Sequence, residues 1–262
     1  MRRRDRLLFS ACHTGDLAAV RRLVRPTWFA KGANVNARGD SGGLYEGETP
    51  LNVAIKVGKK DIVEALIAAG ASVNTHIGSV LPIRTAVQLG NREIVEFLIQ
   101  KGASLKNAGF TAVSNVGWGS MEGNYGTDGQ RKRFRVRTAD TTQWTLLTWS
   151  IERGNVDIAE LLVLNGTDIV KEKVRGYQNT TSEPLRIALE KGYVPLAKMM
   201  LKRGAVVSHG TLSAATKCND KELWGLLMEH GMKLLRSPYS DYAGHCSPEI
   251  AQYIQETMTR LP

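Results

Sequence analysis

The sequence predicts an all-α solenoid of tandem helical repeats, and three observations support this prediction. One apolar phrase occurs five times along the 262 residues, and a glycine precedes and follows each copy. In four of the copies those two glycines are 12 residues apart. The apolar residues between them recur at helical spacing, which indicates one amphipathic helix per copy.

Each predicted repeat contains an inner helix followed by an outer helix, which is the helix between the two glycines. Phrases of the type Thr-Pro-Leu-x-x-Ala open the inner helices, because proline at the first helical position costs no hydrogen bond. An Asp or Asn can cap the free amides of four outer helices, and the second glycine closes each helix in a left-handed turn. The expected capping residues are Asp16, Asn91, Asn155 and Asp220.

These phrases resemble the ankyrin repeat. The segment from Thr49 to Asn74 combines Thr-Pro-Leu, Ile-Val-x-x-Leu-Ile and Gly-Ala-x-Val-Asn in the order of the family pattern. The resemblance implies a single domain of about six repeats with extended hairpin loops. The first, fourth and sixth repeats are divergent, because the proline of the Thr-Pro-Leu-His phrase is absent from them. The repeats are expected at about 5–38, 47–76, 79–108, 142–173, 182–208 and 209–237.

The ends of such a stack need caps, because each repeat buries its apolar face against its neighbours. The segment from Arg2 to Arg6, which includes Asp5, is expected to keep the outer face of the first helix polar. The phrase Ser247-Pro248-Glu249 combines an N-cap, a first-turn proline and an early acid. It predicts a C-terminal capping helix at 247–260.

The main interruption of the pattern is an insertion at 109–141, after the third repeat. It is rich in glycine and contains Trp118, Tyr125 and Phe134. We interpret it as a long loop or a short hairpin, with a degenerate repeat as the alternative. Its aromatic residues favour a functional finger over a flexible linker, although they could equally pack on neighbouring helices as structural filling.

A basic run at 131–137 lies within this insertion and alternates its charges with Phe134 and Val136. We consider three interpretations, in order of preference. The run is a solvated basic edge, a surface for an acidic partner or nuclear import, or a nucleic-acid contact. Basic residues are also scattered over the predicted helices, so the sequence shows no single track for nucleic acid.

The composition argues against a disordered chain and against a protein that spans a membrane. The chain has 35 Lys and Arg against 25 Asp and Glu, a formal charge of +10, and its hydrophobic fraction of 42% is typical of a folded domain. It has no run of about 18 apolar residues that would span a membrane and no apolar signal core. We therefore expect a cytoplasmic or nuclear protein without a membrane partner.

The sequence contains no complete catalytic or metal-binding motif. The glycine-rich phrase from Gly117 to Gly123 departs from the dinucleotide-binding spacing, and no βαβ unit surrounds it. The five histidines and three cysteines lack the paired spacing of a zinc site. We therefore predict no cofactor, no metal and no catalytic residue.

The family resemblance implies that the last residues of each inner helix face the concave side of the solenoid, beside the hairpins. Trp144 should stand near the root of the insertion, as an aromatic anchor. Arg84 takes the place of the family's histidine and needs either a carboxylate partner or access to the groove, of which ion pairing is preferred. The candidate binding residues are His13, Lys56, Arg84, Gln88, Leu89, Trp118, Tyr125, Arg131, Phe134, Arg135, Trp144, Glu152, Arg153, Glu190 and Lys191.

We predict a non-catalytic module that binds a protein partner through the concave groove and the 109–141 finger, and an acidic partner would match the net charge. The alternative is a small-molecule-binding protein or enzyme, in which the insertion closes over the groove. Its aromatic pocket would use Trp118, Tyr125, Trp144 and Trp149. Nucleic-acid binding is the least favoured of the three functions.

Overall fold

The computed structural model of the protein describes residues 1–26, 31–75, 81–105, 110–114, 140–167, 169, 184–231 and 240–259. Within these ranges the chain forms fourteen helices and two short strands. It divides into two compact units, Met1–Ala108 and Gly109–Pro262. Most of the helices in both units occur as consecutive pairs, which is the arrangement that the repeated phrase predicts.

The first unit contains three helix pairs. The pairs are α1 (Arg3–Thr14) with α2 (Leu17–Val24), α3 (Pro50–Val57) with α4 (Lys60–Ala68), and α5 (Pro82–Leu89) with α6 (Arg92–Gln100). The inner helices α1, α3 and α5 pack against one another in chain order, and the outer helices α2, α4 and α6 do the same. Packing between sequence neighbours is the defining contact pattern of a solenoid.

The outer helices contribute to the core of this unit the apolar residues that the repeated phrase places on one helix face. Ile62 and Leu66 of α4 and Ile94 and Leu98 of α6 are all buried. Gly58 ends α3 with a φ of 74°, and its backbone N–H donates to the carbonyl oxygens of the preceding turn. A side chain at that φ would be strained, which explains the recurrence of glycine at this point.

The second unit contains a two-stranded sheet followed by eight helices within the described residues. The elements are β1 (Phe110–Ser114), β2 (Asp140–Trp144), α7 (Leu146–Glu152), α8 (Val156–Leu164), α9 (Pro184–Glu190), α10 (Val194–Lys202), α11 (His209–Ala215), α12 (Lys221–Gly231), α13 (Ser240–Ala243) and α14 (Pro248–Thr259). The inner helices α7, α9 and α11 again pack in order, as do the outer helices α8, α10 and α12. Helix α14 lies within the predicted segment 247–260, buries Ile250 and Ile254, and packs against α12.

The two strands pair antiparallel at the ends of the insertion. Phe110 is opposite Trp144, and Ser114 is opposite Asp140. The ladder therefore joins the point where the chain leaves the third predicted repeat to the point where α7 begins. Residues 115–139, which include the predicted basic run, lie outside the described residues.

Three of the four predicted helix caps are confirmed. Asp16, Asn91 and Asp220 each accept a hydrogen bond from the backbone N–H three residues later, at 2.8, 3.1 and 2.8 Å respectively. The prediction for Asn155 is wrong, because its side chain makes no capping hydrogen bond. Asp157 lies in the first turn of that helix, where its negative charge complements the helix dipole.

The expectation that Asp5 belongs to a polar outer face is also wrong. The residue is only 4% exposed. Its Oδ1 accepts a hydrogen bond from the backbone N–H of Asn34 at 2.8 Å, and its carboxylate pairs with Arg2 at 3.1 Å. A carboxylate is buried here because it satisfies an amide in the turn that follows α2, and so it fixes that turn to α1.

Asparagine side chains connect the turns that follow successive outer helices. The Nδ2 of Asn36 donates to the carbonyl of Gly70 at 3.0 Å, and its Oδ1 accepts from the backbone N–H of Ser72 at 2.9 Å. Asn74 makes the same two hydrogen bonds to the next turn, at 3.0 and 2.8 Å. These residues are the asparagines of the Gly-Ala-x-Val-Asn phrase, which therefore holds neighbouring repeats in register.

Replacing Asn36 by alanine is expected to lower the free energy of unfolding by about 1 kcal/mol, because two hydrogen bonds are lost at a site that water can reach. Urea denaturation of the full chain measures the change. Ser72→Ala is the matched control, since it keeps the backbone amide that Asn36 accepts from and should change stability by less than about 0.5 kcal/mol. Equal losses in the two variants would mean that the asparagine bridge contributes nothing.

Candidate functional site

The last turns of the inner helices in the first unit carry four of the candidate binding residues. His13 of α1, Lys56 of α3, and Gln88 and Leu89 of α5 lie just before the glycine that follows each helix, and all four are exposed. Because these helices pack in chain order, the residues form a row with a step of about 10 Å from one helix to the next. We call these four residues the inner-helix row. Leu89 is 53% exposed, so the row ends in an apolar side chain that solvent can reach.

The loop between α2 and α3 borders the first residue of this row. Tyr45 stacks on the buried ring of Phe9, with centroids 5.3 Å apart, and the ring of His13 lies edge-on to Tyr45 at 5.7 Å. These contacts fix the loop to α1. The adjacent Leu44 is 82% exposed, so the loop presents an apolar side chain on a fixed backbone.

Sequence reasoning did not identify Leu44 or Tyr45 as candidate residues. The only signal was an apolar pair inside a glycine-rich loop, in a hairpin that is longer than the one after the second repeat. Turn residues with an apolar pair between them indicate either a packing contact or an anchor. Here Tyr45 provides the packing contact and Leu44 stays exposed.

Lys56, the lysine of the inner-helix row, forms an ion pair within its own repeat. The Nζ of Lys56 pairs with Glu48 at 2.6 Å, and the same carboxylate accepts a hydrogen bond from the Nδ2 of Asn52. Glu48 lies directly before the threonine that caps α3. The ion pair therefore positions the lysine beside the loop rather than leaving it to extend into solvent.

The two arginines that replace the family's histidine differ in their surroundings. Arg186 forms an ion pair with Glu190, one turn later on the same helix. This pair supplies the carboxylate that a half-buried cation requires. Arg84 is also half-buried, and the loss of hydration lowers the pKa of its guanidinium. A carboxylate partner for Arg84 stays a prediction.

At the equivalent positions of the second unit, the side chains contact other residues of that unit. Glu152 at the end of α7 pairs with Lys191, which follows α9, at 2.9 Å. The guanidinium of Arg153 lies 4.8 Å from the ring centre of Trp149. Trp149 is only 7% exposed, so its ring offers little surface to a small ligand. Ion pairs thus dominate here, whereas the row of the first unit ends in an exposed leucine.

The candidate residues of the insertion are not brought into any described site. Trp144 ends β2, opposite Phe110, and so stands at the root of the insertion as expected. Both the finger contact and the alternative aromatic pocket stay predictions. The candidates that lie outside the described residues are Trp118, Tyr125, Arg131, Phe134 and Arg135.

The described residues include the side-chain types that metal sites and reactive thiols require, namely His, Cys, Asp and Glu. None of their His, Cys, Asp and Glu side chains form a group of three or more that could hold a metal ion. Burial raises the pKa of the Cys12 thiol to about 12 and also raises the pKa of Cys218 and Cys246, so these thiols stay protonated at neutral pH. Among the helices in the described ranges, none is both long and apolar enough to cross a membrane.

Comparison with known proteins identifies this architecture. A family model described as ankyrin repeats in three copies matches residues 3–77. The crystal structure of the human ASB11 ankyrin repeat domain is similar, with a TM-score of 0.50 and 21% sequence identity, over 97% of this chain and 98% of that chain. At this identity the likeness concerns the fold alone. The predicted resemblance and the all-α repeat-solenoid fold are thereby confirmed, whereas the count of six repeats stays a prediction.

Proposed function

We propose, from its ankyrin-repeat fold, that this chain is a protein-interaction module, and that the inner-helix row and the loop bearing Leu44 form its contact surface. Ankyrin repeats generally mediate protein–protein interaction. The observation that supports the proposal is the exposure of Leu44 and Leu89 on backbone that packing holds in place. Because the backbone is already ordered, little backbone entropy is lost when these side chains bind a partner and exclude water from it.

The charge of the first unit favours an acidic partner. Residues 1–108 contain 16 Lys and Arg and nine Asp and Glu, a difference of +7 out of the +10 of the whole chain. Complementary charge accelerates association and excludes partners of the wrong sign. We also propose that the 109–141 finger is a second contact and that the protein is cytoplasmic or nuclear.

The experiment is site-specific photo-crosslinking in native cells, with a benzophenone amino acid at Gln88 and the crosslinked partner identified by mass spectrometry. The affinity of the purified partner is then measured for three variants. Leu89→Asp should weaken binding by at least about tenfold, because it places a charge in the apolar contact. Deletion of 109–141 should also weaken it if the finger takes part.

The matched control is Leu164→Asp, because Leu164 is 52% exposed at the end of α8 and lies outside the inner-helix row. This variant should change the affinity by less than about twofold. If both leucine variants lose the same affinity, or if neither loses any, the row is not the contact surface.

A further inference from the structure

The first helix pair has a partly apolar groove on its surface that the stacking of the unit does not fill. Leu8, Phe9 and Cys12 of α1 are fully buried, whereas Leu7 on the adjoining stripe is 49% exposed. The groove runs between α1 and α2, is open to solvent and has a volume of about 190 Å³. Half of its lining is apolar, from Leu7, Ala11, Ala19 and Leu23, and the other half is polar, from Ser10, Thr14, Asp16 and Arg22.

The rim of the groove is basic. Residues 1–31 contain eight Lys and Arg but only two acidic residues, Asp5 and Asp16. Both carboxylates are already engaged, since Asp5 binds the turn after α2 and Asp16 caps α2. Asp5 pairs with Arg2, but the eight basic residues outnumber the two acids, so this segment keeps a net positive charge.

One exposed arginine lines the groove and a second lies one helical turn away from it. Arg22 lines it directly, and Arg3 lies one helical turn before Leu7 on the same stripe of α1. Neither arginine forms an ion pair with the described part of the chain. By contrast, Arg4 donates to the carbonyl of Lys31 and Arg6 pairs with Asp40. Arg3 and Arg22 are thus the cations available to a ligand in the groove.

We propose that this groove binds an amphipathic helix of a partner protein, with leucine-like side chains on one face and Asp or Glu on its flanks. The spaces between two packed helices accept the side-chain ridges of a third helix. The small Ala11 and Ala19 permit close approach, and Arg3 and Arg22 meet the acidic flanks. The lining of the groove includes none of the four residues of the inner-helix row.

The shape of the surface distinguishes a helix from other anionic ligands. A lipid surface is flat and receives projecting apolar side chains, whereas the apolar residues here line a concavity. A nucleic acid would use the arginines but would gain little from Leu7. A leucine-bearing acidic helix uses both features of the groove.

The probe is a fluorescent peptide of about 18 residues, long enough to form a helix, with leucines at helical spacing and glutamates flanking them. Its binding to the full chain is measured by fluorescence anisotropy. Leu7→Asp should weaken binding by at least about tenfold and Arg22→Glu by about fivefold. Arg21→Glu is the matched control, because it makes the same charge change on the same helix outside the groove and should weaken binding by less than about twofold.

Several results would overturn the proposal. They are absence of binding at low salt, equal binding of a peptide with lysines in place of the glutamates, or equal losses in Arg21→Glu and Arg22→Glu. Leu7-dependent binding to anionic vesicles without peptide binding would assign the groove to a membrane, and a Leu7-dependent dimer would assign it to a second copy of the chain. Leu89→Asp should leave peptide binding unchanged, which separates this test from that of the inner-helix row. Circular dichroism confirms that each variant is folded.

Discussion

Leu66→Ala is expected to lower the free energy of unfolding of the first unit by about 3 kcal/mol. Leu66 is fully buried on α4, in the middle of the three helix pairs of that unit. Helix α4 packs against α2, α3 and α6, so a cavity at this position weakens the contacts to both neighbouring pairs. In a solenoid the interfaces between neighbours supply much of the stability, so the loss should extend to the whole unit.

Urea denaturation followed by circular dichroism measures this loss, and hydrogen exchange locates it. Amides of α1 to α6 should all lose protection in Leu66→Ala. The control is Ile67→Ala, which changes the adjacent, half-buried side chain and should cost less than half as much. A similar cost in both variants, or a loss of protection confined to α4, would show that the pairs do not depend on one another for stability.

The outer helices could be predicted from the sequence because their signals are local. The glycines that flank α4, α6, α8 and α10 fix the ends of each helix, and a helix cap needs only a side chain and an amide three residues apart. Asn155 shows the limit of this reasoning. The residue type is suitable for a cap, but the side chain does not turn towards the free amides.

The parts that could not be predicted depend on contacts between distant residues. In the sequence, Asp5 is an acid among arginines and is expected at the surface. It is buried because its carboxylate accepts a hydrogen bond from a backbone N–H 29 residues away. In the sequence, Tyr45 belongs to a polar loop. It stacks on Phe9 because this loop packs against α1. The two partners of each contact lie far apart in sequence, so no local sequence pattern contains both of them.

In the candidate site, too, some features follow from the sequence and others only from the folded structure. The positions of Lys56 and Leu89 follow from the repeat, since each lies just before a helix-ending glycine. Whether the side chain at each position is ion-paired or exposed does not follow from the repeat. Lys56 is paired with a loop carboxylate, Lys191 is paired with the preceding inner helix, and Leu89 is exposed. Only the folded arrangement distinguishes a contact residue from a structural ion pair.

Asp5→Ala is expected to lower the free energy of unfolding by about 2 kcal/mol at neutral pH, because it leaves the backbone N–H of Asn34 without its acceptor and removes the partner of Arg2. Burial raises the pKa of the Asp5 carboxyl, but the hydrogen bond from Asn34 and the guanidinium of Arg2 outweigh it and hold the pKa below its ordinary value. The carboxylate therefore stabilises the folded state fully above about pH 4, the pKa of an unfolded Asp.

As the pH falls below that value and through the folded-state pKa of Asp5, the carboxylate takes up a proton and its contribution is lost. The difference in unfolding free energy between the unmodified chain and Asp5→Ala should therefore narrow in acid, whereas Asp5→Asn should differ less at neutral pH because its amide oxygen can still accept. Asp61→Ala, at an exposed position in the first turn of α4, controls for the loss of a surface acid. A difference that stays constant from neutral pH to acid would mean that Asp5 acts through its shape rather than its charge. In that case its burial beside the turn would reflect packing, and the turn would not depend on the carboxylate to hold it against α1.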